Sequence, residues 1–261
     1  MASVPYNAQR FEIGRVFSAT FATIGRNAPL YFGFAFLISG LPAILFQYFL
    51  LTGVSGGRVS PDHLANFYSH FAMVFVPYWL FAVVVGTLLQ TFIARATVED
   101  LTGNQPSIGE CFSASASVLP QAIGIALLVA IASGFAMLLL IVPGVMLWLG
   151  WCVAIPVVVQ EREGVFDGMS RSRFLTRGSR WALFALFLIL AILVWIVQLV
   201  VGFAGGLSTF LVGPYIGGAL GAGIASTVSV VIMNTAAAAA YVELRQAKEG
   251  TGIDELAQVF A

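Results

Sequence analysis

The sequence predicts an all-α, polytopic membrane protein with six transmembrane helices, and its composition gives the first reason. Hydrophobic residues make up 59% of the 261 residues and charged residues only 9%, whereas soluble globular proteins carry about 25% charged residues. The mean hydropathy is +0.95. Because so few charges could not cover a surface in contact with water, we expect lipid to surround much of the chain.

Six stretches of the sequence are apolar enough to be spans. A helix needs about 20 residues to cross about 30 Å of hydrocarbon, and only the fourth stretch is notably shorter. None of the six contains Asp, Glu, Lys or Arg. Since a charge at mid-membrane costs roughly 2.5–3.5 kcal/mol, we expect all six to insert. The predicted spans are 30–51, 71–93, 121–141, 145–160, 181–203 and 216–242.

Prolines and glycines predict where these helices bend or end. Pro143-Gly144 predicts a tight hairpin between the third and fourth spans. Pro42, Pro77 and Pro156 lie within spans and predict kinks, because proline removes a backbone hydrogen bond.

The basic residues divide unequally between the two sets of loops that alternate along the chain. Eleven of the twelve belong to the set that includes both terminal segments, and Arg58 alone belongs to the other. Lys and Arg accumulate on the cytoplasmic side of membranes, so we expect both termini in the cytoplasm. The eleven are Arg10, Arg15, Arg26, Arg95, Arg162, Arg171, Arg173, Arg177, Arg180, Arg245 and Lys248.

Three segments that precede the first, third and fifth spans resemble one another. Adding 95 to the residue numbers of the first gives the second, and adding 152 gives a weaker third copy, which Arg173 interrupts. Each follows the spacing of one helix face. The three registers are Ile13, Val16, Phe17, Thr20, Phe21 and Ile24; Ile108, Cys111, Phe112, Ser115, Ala116 and Leu119; and Val165, Gly168, Met169, Ser172, Arg173 and Thr176.

These segments predict three amphipathic helices in the cytoplasmic interface, at about 11–26, 107–119 and 164–178. The predicted architecture is a single six-span domain, 1–261, built as three repeats of an interfacial helix plus two spans, with a short C-terminal tail at 246–261. The alternative is a set of ordinary juxtamembrane helices whose similarity arose by chance.

The sequence contains no motif that predicts catalysis. There is no P-loop, no zinc-protease motif, no nucleophile elbow and no pair of carboxylates within a span. The spans lack the buried ionisable groups that proton-coupled transport uses, and a net charge of zero does not favour nucleic acid. We therefore expect no enzyme activity, no cofactor, no metal site and no nucleic-acid partner.

The most highly charged segment, 161–180, predicts contacts with lipid headgroups. Arginines at a cytoplasmic surface attract anionic lipid by about 1 kcal/mol each, and a tryptophan beside them suits the headgroup level. The segment is either an orientation signal with general lipid anchoring, or a specific site for a phospholipid or a protein. Asp167 and Arg171 are expected to pair along one helix. The candidate headgroup contacts are Arg171, Arg173, Arg177, Arg180 and Trp181.

Two further sets of residues are predicted within the spans. Asn234, Ser229 and Gln90 form a candidate polar patch that could line a cavity, with ordinary interhelical hydrogen bonding as the alternative. A stripe of small residues at four-residue spacing predicts close helix packing, inside the chain or between two copies of it. The stripe consists of Gly213, Gly217, Gly221 and Ala225.

The region 140–190 resembles a bacterial group of six-span proteins. The resemblance rests on Pro143-Gly144, Pro156-Val157-Val158-Val159, Glu161, Gly164, Arg171-Ser172, Leu175-Thr176-Arg177-Gly178 and Arg180-Trp181. The group includes the membrane domain attached to some glycerophosphodiester phosphodiesterases and related stand-alone inner-membrane proteins. The resemblance implies a place in the bacterial inner membrane. In the fused members a soluble domain carries the catalysis, so no catalytic residue is carried over.

Taken together, these features predict a non-enzymatic inner-membrane protein that binds or organises lipid or scaffolds a membrane complex. Its partners would be membrane lipids, with a second copy of the chain or another membrane protein as further candidates. A passive transporter or scramblase, for lipid or a small apolar solute, is the alternative function.

Overall fold

The computed structural model describes residues 11–55, 61–213 and 215–250. Every regular element within these ranges is helical, as the sequence predicts. The helices are α1 (Ile13–Arg26), α2 (Ala28–Ala35), a π-helical turn (Phe36–Gly40), α3 (Leu41–Ser55), α4 (Pro61–Leu101), α5 (Ile108–Leu139), α6 (Ile141–Trp151), α7 (Ala154–Glu161), α8 (Val165–Thr176), α9 (Arg180–Val212) and α10 (Ile216–Glu249).

Six of the helical stretches are long and apolar enough to cross a membrane, which makes the chain a multi-pass membrane protein. They coincide with the six predicted spans, although several begin earlier or end later. The stretches are Ala28–Leu50, Pro77–Leu101, Ile108–Leu139, Ile141–Glu161, Arg180–Leu211 and Ile216–Glu249.

Prolines explain three of the interruptions between helices. A proline ring clashes with the carbonyl group four residues earlier in a helix. For Pro156 that carbonyl belongs to Cys152, and the helix breaks at Cys152 and Val153, between α6 and α7. For Pro42 it belongs to Ile38, which lies in the π-helical turn.

The hairpin between α5 and α6 turns at Leu140, three residues before the predicted Pro143-Gly144. Leu140 is extended, with φ −154° and ψ 126°. Pro143 again supplies the reason, because its ring excludes the helical position of the Leu139 carbonyl, and α5 ends there. Gly144 lies inside α6, where a Cβ atom would be 2.6 Å from the backbone nitrogen of Met137.

The predicted helix at 107–119 does not exist as a separate element. Its residues form the first turns of α5, which continues through Pro120 to Leu139. Ser107 is the N-cap residue, but its side chain makes no capping hydrogen bond. Between this segment and the span the sequence offers no stop signal other than Pro120, which removes one backbone hydrogen bond without ending the helix.

The other two predicted interfacial segments form separate helices, α1 and α8. The tail predicted at 246–261 begins inside α10, and its residues from 251 onward lie outside the described ranges.

Residues related by the predicted repeat are buried in all three helices, α1, α5 and α8, at the offsets of 95 and 152 residues. The aromatic residues Phe17 and Phe112, predicted on the same face, are instead exposed, and so is Arg173. Small and hydroxyl side chains therefore form much of the buried stripe. The corresponding buried residues are Val16, Cys111 and Gly168; Thr20, Ser115 and Ser172; and Thr23, Val118 and Leu175.

The chain divides into two compact units. The first consists of Met1–Asn27, Gln90–Leu190 and Ile232–Ala261. Its core includes α7, whose residues from Ala154 to Val159 are all buried. α5 and α8 pack against α7 through Ile125 and Met169.

The second unit consists of Ala28–Leu89 and Ala191–Val231. Here the glycines of α10 allow close helix contacts, as small residues do in membranes. A Cβ atom on Gly217 would lie 2.7 Å from the Gly205 carbonyl oxygen of α9, and one on Gly221 would lie 3.4 Å from the Gly205 Cα atom. The predicted packing role therefore holds for Gly217 and Gly221 within one chain.

Two members of the predicted stripe have different positions. Gly213 follows the end of α9 with a φ of +97° and has nothing within 4 Å of a Cβ position. It ends the helix, since glycine adopts this left-handed conformation without strain. Ala225 is half-buried, and its carbonyl accepts a hydrogen bond from Ser229. Gly223, which the four-residue spacing misses, makes a contact as close as that of Gly217, because its Cβ atom would lie 2.7 Å from the Gly40 carbonyl oxygen.

Candidate functional site

Ion pairs between helix ends organise the charged side of the first unit. Among the described residues, five arginines each pair with a carboxylate, and three of the arginines do so with a carboxylate of a different helix. The pairs, with their nitrogen–oxygen distances, are Arg15–Glu243 (2.6 Å), Arg26–Asp100 (2.5 Å), Arg95–Glu99 (2.7 Å), Arg171–Glu161 (2.8 Å) and Arg245–Glu249 (3.1 Å).

Arg171 belongs to the framework of this unit. Its Nε donates to Glu161, and a second nitrogen donates to Glu249, so one side chain of α8 joins α7 to α10. Burial acts to lower the pKa of the Arg171 guanidinium, but the two carboxylates raise it above its ordinary value. The expected pair with Asp167 does not form, because Glu161 and Glu249 occupy the guanidinium.

Arg173 and Arg180 are different, because neither has a carboxylate partner among the described residues. Both line a cavity of about 210 Å³ in the first unit. The buried Nε atom of Arg180 has no hydrogen-bond partner in the described part of the chain. The remaining lining residues are uncharged and mostly apolar: Pro143, Met146, Leu147 and Gly150.

Gly150 brings the two arginines together beside α6. A Cβ atom at this position would lie 3.6 Å from an Arg180 terminal nitrogen and 3.7 Å from the Arg173 Cγ atom. The Gly150 carbonyl oxygen also accepts hydrogen bonds from Ser172 at 3.0 Å and Thr176 at 3.4 Å. These bonds fix α8 against α6, so Arg173 is held at the cavity by its own helix.

An aromatic ring positions Arg173 further. Its guanidinium carbon lies 5.4 Å from the centroid of a Trp151 ring, within the range of a cation–π interaction. This contact orients the charge without neutralising it. The cavity therefore combines two uncompensated positive charges with an apolar wall, and the chemical complement is an anionic group attached to an apolar chain.

The other two predicted headgroup contacts lie nearby in the sequence but do not line the cavity. Arg177 is exposed and follows the end of α8, while Trp181 is 71% exposed in the first turn of α9. The structure thus separates the five predicted residues into a framework residue, two residues that line the cavity, of which Arg173 is also exposed, and two exposed residues that do not line it.

The predicted polar patch is not assembled by the hydrogen bonds of the structure. Ser229 accepts a bond of 3.0 Å from Gln198 and donates to Ala225, both within the second unit. Gln90 and Asn234 belong to the first unit, and neither side chain makes a hydrogen bond within the described ranges. The bond between Ser229 and Gln198 matches the alternative interpretation, interhelical hydrogen bonding.

The sequence alone could not identify the cavity residues among the arginines of 161–180. Arg173, Arg177 and Arg180 all lack an acidic residue within one helical turn, so this pattern does not separate the cavity residues from Arg177, and Gly150 gives no signal in the sequence. Within the described part of the chain, no group of three His, Cys, Asp or Glu residues could hold a metal ion.

Comparison with protein-family models, with curated proteins and with solved structures finds no match to this chain. The resemblance over 140–190 therefore stays a prediction.

Proposed function

We propose that this chain is a non-enzymatic protein of the bacterial inner membrane that binds an anionic phospholipid, with the headgroup between Arg173 and Arg180. The single observation that supports this most strongly is that two arginines without a carboxylate partner among the described residues line one apolar cavity. Arg173 is exposed, but the Nε atom of Arg180 is buried without a hydrogen-bond partner in the described part of the chain, and leaving such a donor unsatisfied is costly. A lipid phosphate would supply the missing partner through charge-assisted hydrogen bonds.

The shape of the cavity supports a lipid rather than a free anion. Its apolar wall runs along one face of α6 from Pro143 to Gly150, which is about 10 Å at 1.5 Å per residue. The neighbouring hairpin exposes only apolar side chains, with Leu139 81% and Ile141 74% exposed. An acyl chain could lie along this wall while the arginines hold the headgroup.

The proposal includes the arrangement of three repeats with both termini in the cytoplasm. The corresponding buried positions of α1, α5 and α8 support the repeat, and the unequal distribution of basic residues supports the orientation. Reporter fusions at Gly56 and after Ala261 should then report opposite faces of the membrane. Reports from the same face would contradict the orientation.

Lipid retention tests the headgroup site directly. The full chain is reconstituted in nanodiscs that mix phosphatidylcholine with phosphatidylglycerol, and bound lipids are counted by native mass spectrometry after gentle release. Arg173→Met and Arg180→Met should each weaken retention of phosphatidylglycerol by about 10- to 100-fold, because each removes a charge-assisted hydrogen bond of roughly 1.5–3 kcal/mol.

Arg177→Met is the matched control, because it removes one exposed arginine from the same segment. Its loss should reduce retention by only about fivefold, the effect of roughly 1 kcal/mol of surface attraction. Equal effects of all three substitutions would show that the positive charge acts diffusely, and the proposed site would be wrong.

No hydrogen bond described above favours the alternative function, a passive transporter or scramblase.

A further inference from the structure

A second cavity in the first unit differs from the lipid site in its chemistry. It has a volume of about 270 Å³ and lies at the turn that joins α4 to α5. All but one of its lining residues are polar or charged. They are Arg95, Val98, Glu99, Thr102, Asn104, Gln105, Glu110 and Gln160.

The guanidinium of Arg95, which carries the positive charge of this cavity, already has partners within the protein. The Nε atom of Arg95 donates to Glu99 at 2.7 Å, and a terminal nitrogen donates to the Gln160 Oε1 atom at 3.2 Å. The second carboxylate oxygen of Glu99 accepts a hydrogen bond from the Cys111 thiol at 3.2 Å. Arg95 and Glu99 therefore satisfy each other, and neither is available as the main contact of a ligand.

Two other groups lining the cavity lack partners within the described ranges. The Nε2 atom of Gln160 is buried and donates no hydrogen bond. The orientation of its amide is fixed, because Oε1 accepts from Arg95. The Glu110 carboxylate is exposed to solvent and has no ion pair or hydrogen bond in the described part of the chain. A ligand that pairs with both groups offers an oxygen acceptor to Gln160 and hydrogen-bond donors to Glu110.

The formal charges define the ligand further. One arginine and two glutamates give the lining residues a net charge of −1, which favours a cation over an anion. None of the described lining residues is aromatic, whereas quaternary ammonium groups are recognised by aromatic cages. A primary ammonium group instead presents three N–H donors, which match the Glu110 carboxylate and the amide oxygens of Asn104 and Gln105.

We infer that this cavity binds a primary ammonium group that is separated by two carbon atoms from an oxygen acceptor, with Glu110 holding the ammonium and Gln160 donating to the oxygen. The ligand is a small amino alcohol or the ethanolamine headgroup of a phospholipid, which share this chemistry. This site is independent of the anionic-lipid site, because no residue lines both cavities.

Matched pairs of probes test the inference on the full chain. In phosphatidylcholine nanodiscs, ethanolamine and choline are titrated separately and binding is followed by saturation-transfer NMR. The two probes differ only in the methyl groups on nitrogen, so ethanolamine should bind at least tenfold more tightly. In a second arm, phosphatidylethanolamine replaces part of the phosphatidylcholine, and retained lipids are counted by native mass spectrometry.

Two substitutions assign the binding to the cavity. Glu110→Gln removes the charge that pairs with the ammonium and should weaken binding by about 10-fold or more, as expected for a lost hydrogen bond between charged groups. Gln160→Met removes a neutral amide donor and should weaken binding of ethanolamine by about 2- to 10-fold. Asp167→Asn is the control, because it removes one exposed carboxylate of the same unit outside the cavity. It should leave binding unchanged, and the melting temperature of each variant checks that the fold is intact.

Binding of free ethanolamine identifies a soluble ligand, and selective retention of phosphatidylethanolamine identifies a headgroup. Equal affinity for ethanolamine and choline would overturn the inference, as would binding that Glu110→Gln leaves unchanged. If neither ethanolamine nor phosphatidylethanolamine binds, the cavity holds only water and the inference is wrong.

Discussion

Replacing Arg171 tests whether this arginine holds helices together or binds lipid. In Arg171→Met the aliphatic stem is kept, but the hydrogen bonds to Glu161 and Glu249 are lost. The three side chains are only 23%, 15% and 23% exposed, in the order Arg171, Glu161 and Glu249. The loss should therefore cost more than that of an exposed ion pair.

The structure also sets an upper limit to this cost. Breaking a fully buried ion pair costs about 3–5 kcal/mol, whereas an exposed pair contributes about 1 kcal/mol or less. After the substitution, Glu161 still accepts a hydrogen bond from Tyr241 at 2.9 Å, and Glu249 still pairs with Arg245 at 3.1 Å. Because both carboxylates keep a partner, we expect a loss of about 2–3 kcal/mol in the free energy of unfolding.

Equilibrium unfolding in mixed micelles of a mild detergent and dodecyl sulfate, followed by tryptophan fluorescence, measures this loss. Arg177→Met serves as the control, because Arg177 is exposed and should change stability by no more than about 0.5 kcal/mol. Retention of phosphatidylglycerol by the folded Arg171→Met variant should fall only by the modest factor expected for Arg177→Met. A stability equal to that of Arg177→Met, or a loss of lipid as large as in Arg173→Met, would refute the framework role.

Three further substitutions and one control test other parts of the structure by the same unfolding assay. Gly217→Ala should destabilise by about 1–3 kcal/mol, because its Cβ atom would be 2.7 Å from a carbonyl oxygen. Gly202→Ala is the control, because no atom lies within 4 Å of its Cβ position, and it should not lower the free energy of unfolding. Equal effects of Gly217→Ala and Gly202→Ala would contradict the predicted clash. Asp100→Ala should lower the free energy of unfolding by about 2–4 kcal/mol, because three side chains donate hydrogen bonds to this carboxylate. Surface substitutions usually change it by less than about 0.5 kcal/mol, and a change that small would contradict the prediction. Burial, and to a smaller extent the charge of Glu161, raise the pKa of Glu163 above its ordinary value of 4.5. The folded state therefore holds this proton more tightly than the unfolded state, so the free energy of unfolding falls as the pH rises from the ordinary pKa through the raised one. Glu163→Gln should therefore be slightly more stable than the wild type at pH 7 and equal to it at pH 3, and the opposite trend would refute the assignment.

The sequence predicted the helical class and the six apolar stretches because hydropathy and length need no knowledge of tertiary contacts. It also placed α1 and α8 within two residues of their observed ends. The turn at Leu140 was missed because Pro143 was interpreted as part of the turn. Its effect is exerted four residues earlier, on the carbonyl of Leu139.

The candidate site was less predictable, because it depends on which charges pair. Arg171 and Arg173 are two residues apart, and the sequence predicted both of them as headgroup contacts. The structure distinguishes them through Glu249, which lies 78 positions after Arg171. The role of Gly150 was also missed. A glycine at this position leaves room for two arginines beside α6, but a single glycine produces no periodic pattern in the sequence. Gly217 and Gly221 were predictable because their four-residue spacing defines one face of α10.

The contact between Arg173 and Trp151 gives the protein an intrinsic optical reporter. Indole emission responds to a nearby positive charge, and the guanidinium carbon lies 5.4 Å from the ring centroid. A variant that keeps Trp151 and replaces the other four tryptophans with phenylalanine would report on this single environment. Any bound molecule that draws the guanidinium away from the indole would then shift its emission, so occupancy could be followed in real time without a label.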